Sequence, residues 1–130
     1  MKKVIVILVV FLLMIGAMAG EITYVNKFYN GLQADLETIA VSVDLNEEHV
    51  KNPQTQELCD KLLKKWEKGK RTLLMLQNHN TVRNLDDKLV SLAAVVDSDN
   101  YNDAVIFVRS AINYIDDVLL DSIPFLSNIL

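Results

Sequence analysis

Apolar residues recur along most of this chain at alternating steps of three and four, and that spacing admits essentially one fold class. Ile22, Val25, Tyr29, Leu32, Leu36, Ile39 and Val43 form the first series. Steps averaging about 3.5 residues lay one apolar stripe along a helix. No strand-like alternation competes with it. Asp44 to Asn52 is polar and interrupts the series. Asn52-Pro53 then reads as a helix start, with asparagine as N-cap and proline in the first helical position. The second helix is predicted to carry Leu58, Leu62, Trp66, Leu73 and Leu76, and to end near Asn78-His79-Asn80. The third carries Val82, Leu85, Leu89, Leu92 and Val96. After a loop at 97–100 the fourth carries Tyr101, Val105, Val108, Ile112, Ile115 and Leu119. Pro124 is expected to stop or kink the chain. Phe125 to Leu130 is expected to fold back as a short turn over the open end of the bundle or to form a docking surface. Short connections between helices two, three and four require antiparallel neighbours. The predicted architecture is all-α: an N-terminal transmembrane or signal helix leading into an antiparallel up-and-down bundle of about four helices.

The N-terminus follows a different rule. Lys2 and Lys3 precede Val4 to Gly20, which holds no charged residue. As a helix this run spans about 25 Å, the short end of what crosses a bilayer core of about 30 Å. Tyr24, Phe28 and Tyr29 follow where an interfacial aromatic belt would lie. The lysines are expected to stay in the cytoplasm and place the rest of the chain outside. This divides the chain into a basic tip at 1–3, an apolar segment at 4–20 and an extracytoplasmic bundle at 21–130. A rival reading is a cleaved signal peptide, with Ala17-Met18-Ala19 as the peptidase site. The apolar phase continues as helix directly after Gly20, leaving no loose segment for cleavage.

The 110 residues from 21 onward suffice for one packed core. Net charge is −4, and without Lys2 and Lys3 it falls by two, to −6. An acidic domain is poorly suited to neutralising phosphates, so nucleic acid is not an expected partner. The single cysteine, Cys59, excludes an internal disulfide. Exposed, it could link two chains; packed, it serves as a small apolar residue.

The most visible polar feature is Lys61, Lys64, Lys65, Lys68 and Arg71, which share one face of the second helix. That face suits anionic lipid headgroups or an acidic partner. The plainer reading is a solvated face paired with Asp86, Asp87, Asp116 and Asp117 of neighbouring helices. The stretch from Asp97 to Asp103 has acids at the first and third positions of a calcium loop. It then fails, because Asn102 stands at the required glycine and Val108 at the bidentate glutamate. A turn that caps the fourth helix is expected instead. His49 and His79 belong to no metal-binding pattern, and His79 is expected to cap helix two. Trp66, on the apolar stripe, is expected as a core anchor. No catalytic constellation, metal set or cofactor motif is legible.

With these residues placed, the chain resembles the domain of unknown function 4363 family, small proteins of spore-forming Gram-positive bacteria. The likeness rests on the lysine-led apolar N-terminus, Lys64-Lys65-Trp66, Asn78-His79-Asn80, Asp99-Asn100-Tyr101 and the ending Leu126-Ser127-Asn128-Ile129-Leu130. The family usually has an acid where this chain has Asn78, and the Asn52-Pro53 stretch is a local variation. The resemblance implies a single-pass protein with an extracytoplasmic helical domain and a membrane protein as partner. It implies no activity and no catalytic residues. The expected function is thus a non-enzymatic, membrane-anchored module that binds an envelope or membrane protein, needs no cofactor and has seams that permit self-association. The alternative is a secreted bundle, cleaved after Ala19, that binds a small or peptide ligand.

Overall fold

The computed structural model describes residues 1–121, with side chains through Leu120. Four helices occupy them: α1 (Lys2–Leu45), α2 (Pro53–Leu76), α3 (His79–Asp97) and α4 (Tyr101–Asp121). The readings of Pro124 and of Phe125 to Leu130 lie outside the described residues.

α1 is unbroken for 44 residues, a length of about 66 Å. Every residue from Met1 to Tyr24 is exposed, whereas Val25, Tyr29, Leu32, Leu36, Ile39 and Val43 are buried. The same helix therefore leaves its apolar half uncovered and inserts its amphipathic half into the bundle. Among the described residues it is the one helix long and apolar enough to cross a membrane.

α1 packs on α2, α2 on α3, α3 on α4, and α4 closes the ring on α1. Side-chain register shows the directions. Ser42 meets Thr55 high on α1 and low on α2, while Phe28 packs on Trp66 and Gly69. Tyr101 at the start of α4 reaches Asp44 in the last turn of α1 and Glu47 just beyond it, and Gln33 reaches Asp116. The ring is thus up-down-up-down. We call the end where α1 enters the bundle basal and the other end distal.

The core follows the 3-4 pattern with three local corrections. In α1, Ile22 stays exposed and the buried seam begins at Val25. In α2 the buried seam is Thr55, Cys59, Leu62, Trp66, Gly69 and Leu73. Leu58 and Leu76 sit half-buried at its edge. In α4 the seam is Ala104, Val108, Ala111, Ile115 and Val118: Val108 and Ile115 are buried as predicted, whereas Ala104, Ala111 and Val118 take the places expected of Val105, Ile112 and Leu119, and Tyr101 lies at the edge. Those bulkier residues pack half-buried on its flanks, because small alanines let α4 approach its neighbours closely. α3 buries Val82, Leu85, Leu89, Leu92 and Val96, all as predicted.

The joints are closed by asparagines and one aspartate. The Asn52 side chain accepts from Thr55 N at 2.9 Å, ahead of Pro53 in the first turn. α2 ends at Leu76, and Asn78 caps α3 by accepting from Asn80 N at 2.8 Å. At the end of α3, Asp99 N bonds to Val96 O and Asn100 N to Val95 O. These are the paired bonds of a Schellman ending, with Asp99 in the left-handed position that glycine usually takes (φ 55°). Asn100 then caps α4 by accepting from Asp103 N at 3.1 Å. The 97–103 stretch is therefore the capping turn that the sequence suggests.

One contact sets the α1–α2 spacing. A Cβ added at Gly69 would run into the Phe28 ring, itself tilted against the Trp66 ring with centroids 6.3 Å apart. Overpacking of this kind costs about 1–3 kcal/mol, against about 1 kcal/mol gained in helix propensity. Gly69→Ala is expected to lower stability by up to about 2 kcal/mol in denaturant titrations followed by Trp66 fluorescence. Combining it with Phe28→Leu should cost less than the sum of the single changes.

Candidate functional site

The basic face of α2 is present and exposed at all five positions: Lys61, Lys64, Lys65, Lys68 and Arg71. Its ion pairs differ from the expected ones. Lys61 pairs with Glu57 one turn back at 3.2 Å, and Lys65 with Asp35 of α1 at 3.2 Å. Asp86 is engaged elsewhere: it accepts from the Trp66 indole at 2.8 Å and from Lys70 at 3.1 Å. Asp116 accepts from Gln33. The reason is angular. The five cations point away from α3 and α4, and Lys70, on the side turned toward α3, is the residue that reaches Asp86. Among the described residues, Lys64, Lys68 and Arg71 have no ion pair. The same 4-3-4 progression continues to Met75, which is 83% exposed.

A second feature had no signal in the sequence. Among the described residues, the basal end holds a recess of about 420 Å³. Val25 and Val118 form its inner wall, with Ile22, Leu76 and Tyr114 around them. Glu21 and Asp117 stand among its lining residues, giving it two acids. The recess borders the point where α1 leaves the bundle. Tyr114 is fixed there by donating to Thr81 O at 3.1 Å. Tyr29, just above, donates to Gln77 Oε1 at 2.5 Å, and burial pushes its phenol well above the usual range. This bond ties α1 to the end of α2.

The remaining candidates fall into structural roles. Trp66 is fully buried, a core anchor whose indole is satisfied by Asp86. A hydrogen bond to a charged acceptor contributes about 1.5–3 kcal/mol. His79 is exposed at the first turn of α3; the end of α2 that it was expected to cap is closed by Gln77, whose backbone N–H donates to Leu73 O at 2.8 Å, while Asn78 caps α3. His49 lies 3.8 Å from Asp99, whose other carboxylate oxygen accepts from Lys51 N at 2.9 Å. That backbone bond, with His49 beside it, holds the Asp99 carboxyl below the usual carboxylate range. Asp99 thus pins the 46–52 loop to the α3–α4 turn. Among the described residues, no three His, Cys, Asp or Glu side chains gather as a metal group would.

Exposed apolar helix, closed four-helix ring and outward basic face define a helix-led bundle protein whose distinctive surfaces lie on α2 and at the basal end. The chain belongs to the family described as Domain of unknown function (DUF4363), whose sequence profile matches residues 20–129. No curated protein and no solved structure matches it.

Cys59 is buried, which removes the accessible thiol that a link between chains would need. Burial first, then Asp60 beside it, pushes the thiol up to about 11. In an unfolded chain it ionises near 9. Between these values the unfolded state releases a proton that the folded state keeps, so stability falls as pH rises through that window. The denaturation midpoint of the natural chain is expected to drop more steeply from about pH 9 to about pH 11 than that of Cys59→Ala. At neutral pH a thiol reagent should label only the unfolded protein.

Proposed function

We propose that this chain is a single-pass, membrane-anchored helical module with its bundle outside the cell, acting without catalysis by binding another membrane or envelope protein. The observation that carries the reading is the continuity of α1. An apolar segment exposed on every side runs without a break into a helix whose next turns are locked in the bundle core. Such a surface suits a lipid surrounding. Lys2 and Lys3 at its tip favour a cytoplasmic N-terminus. The anchor would hold the basal recess, with Glu21 and Asp117, beside the bilayer. A basic juxtamembrane segment of a membrane partner complements those acids.

A second reading has its own support. Cleavage after Ala19 would release a bundle beginning at Gly20, with the recess free to take a small or peptide ligand. The rigid helix on either side of the Ala17-Met18-Ala19 site weighs against peptidase access.

Affinity purification of the full-length chain after cross-linking in intact cells tests the leading reading. A second membrane or envelope polypeptide is expected in constant ratio, and it should be lost in Glu21→Lys with Asp117→Lys. Repeated recovery of this chain alone would contradict it.

A further inference from the structure

The five cations of α2 are not equivalent once their heights are known. Phe28 beside Gly69 and Ser42 beside Thr55 set the antiparallel register of α1 and α2. That register puts Met75 level with Ile22, Arg71 with Asn26, Lys68 with Tyr29 and Lys64 with Gln33. At a rise of 1.5 Å per residue, Arg71 stands about 8 Å above Glu21, Lys68 about 12 Å and Lys64 about 18 Å. A headgroup layer adds roughly 5–8 Å outside the hydrocarbon core. Charges act over about 8–10 Å beyond it at ordinary salt. Met75 and Arg71 therefore fall in that layer if α1 is the anchor, Lys68 within its electrostatic reach, and Lys64 near the limit.

Three observations converge on these residues. Lys64, Lys68 and Arg71 are exposed and without ion pairs among the described residues, whereas Lys61 and Lys65 are paired; of the three unpaired cations, Lys68 and Arg71 stand lowest. Met75, one turn below Arg71, is a large apolar side chain left 83% exposed at headgroup height. The acids at this height are engaged or face elsewhere. Glu67 and Asp86 pair with Lys70, and Glu21 and Asp117 line the recess. An apolar tip with cations stacked above it is the arrangement by which side chains enter a lipid interface while their charges stay with the headgroups.

We propose that Met75, Arg71 and Lys68 dock on anionic phospholipid headgroups and lean the bundle toward the bilayer on its α2 side. This rests on the anchor reading above. Each cation near an anionic surface shifts such an equilibrium roughly fivefold, so two shift it by about 25-fold.

The test uses the full chain reconstituted into vesicles, with a fluorophore on Met75→Cys and a nitroxide quencher on the lipid headgroups; buried Cys59 is not labelled in the folded state. Quenching is expected to be stronger in vesicles containing phosphatidylglycerol than in pure phosphatidylcholine, and to weaken as salt is raised. Lys68→Glu with Arg71→Glu should abolish the difference between the two lipids. A label on Ile106→Cys, on another helix and toward the distal end, should respond to neither change. Equal quenching in both lipids, with the chain still floating with carbonate-washed vesicles, would overturn the docking alone and leave the face to an acidic protein. Failure to float with neutral vesicles would overturn both the docking and the anchor.

Discussion

The phase of α1 governs the rest of the molecule. Its seam from Val25 to Val43 supplies one side of the closed ring, and α2 and α4 both pack directly on it. The same backbone continues for more than twenty residues outside the bundle with every side chain exposed. A helix without a break transmits position. Where the apolar segment sits determines the height of every surface feature on the bundle, including the basal recess and each rung of the α2 basic face.

Two contacts hold the other helices to that frame. The first is steric: Gly69 lets the Phe28 ring lie against α2, and Phe28 in turn packs on Trp66. The second is polar: Trp66 donates to Asp86 of α3, and Lys70 neutralises that carboxylate from the same side as the indole. The α1–α2 and α2–α3 interfaces thus share one tryptophan. Its neighbours remove Asp86 and Lys70 from the charges available at the surface. This is why the basic face, one step around the helix, keeps unpaired cations while acids lie close by. At the distal end Asp99 does a comparable job, closing α3 and tying the 46–52 loop to it.

How far the sequence could be read depended on the size of the residues carrying each signal. α3 was fully legible because its seam is made of leucine and valine in an unbroken 3-4 series, with polar residues between them as far as Leu89. In α2 the apolar pattern runs through Leu58, whereas its neighbour Cys59 is the buried one, and no apolar count would mark Gly69 as a core position. In α4 the predicted series meets the seam at Val108 and Ile115, but at the positions around them bulk drew it to Val105, Ile112 and Leu119. The actual seam runs through Ala104 and Ala111, whose small size is what closes the ring. The basic face was legible as a face, because angular position follows from numbering alone. Its pairing was not, because that depends on which helix stands opposite. The recess gave no warning in the sequence, since its walls come from all four helices.

The central claim is that α1 remains whole in the mature protein, anchor and bundle in one helix. The most direct measurement is the intact mass of the protein from its native membranes after a carbonate wash. A full-length chain in the pellet is the expected result. A mass beginning at Gly20, recovered in the soluble fraction, would contradict it.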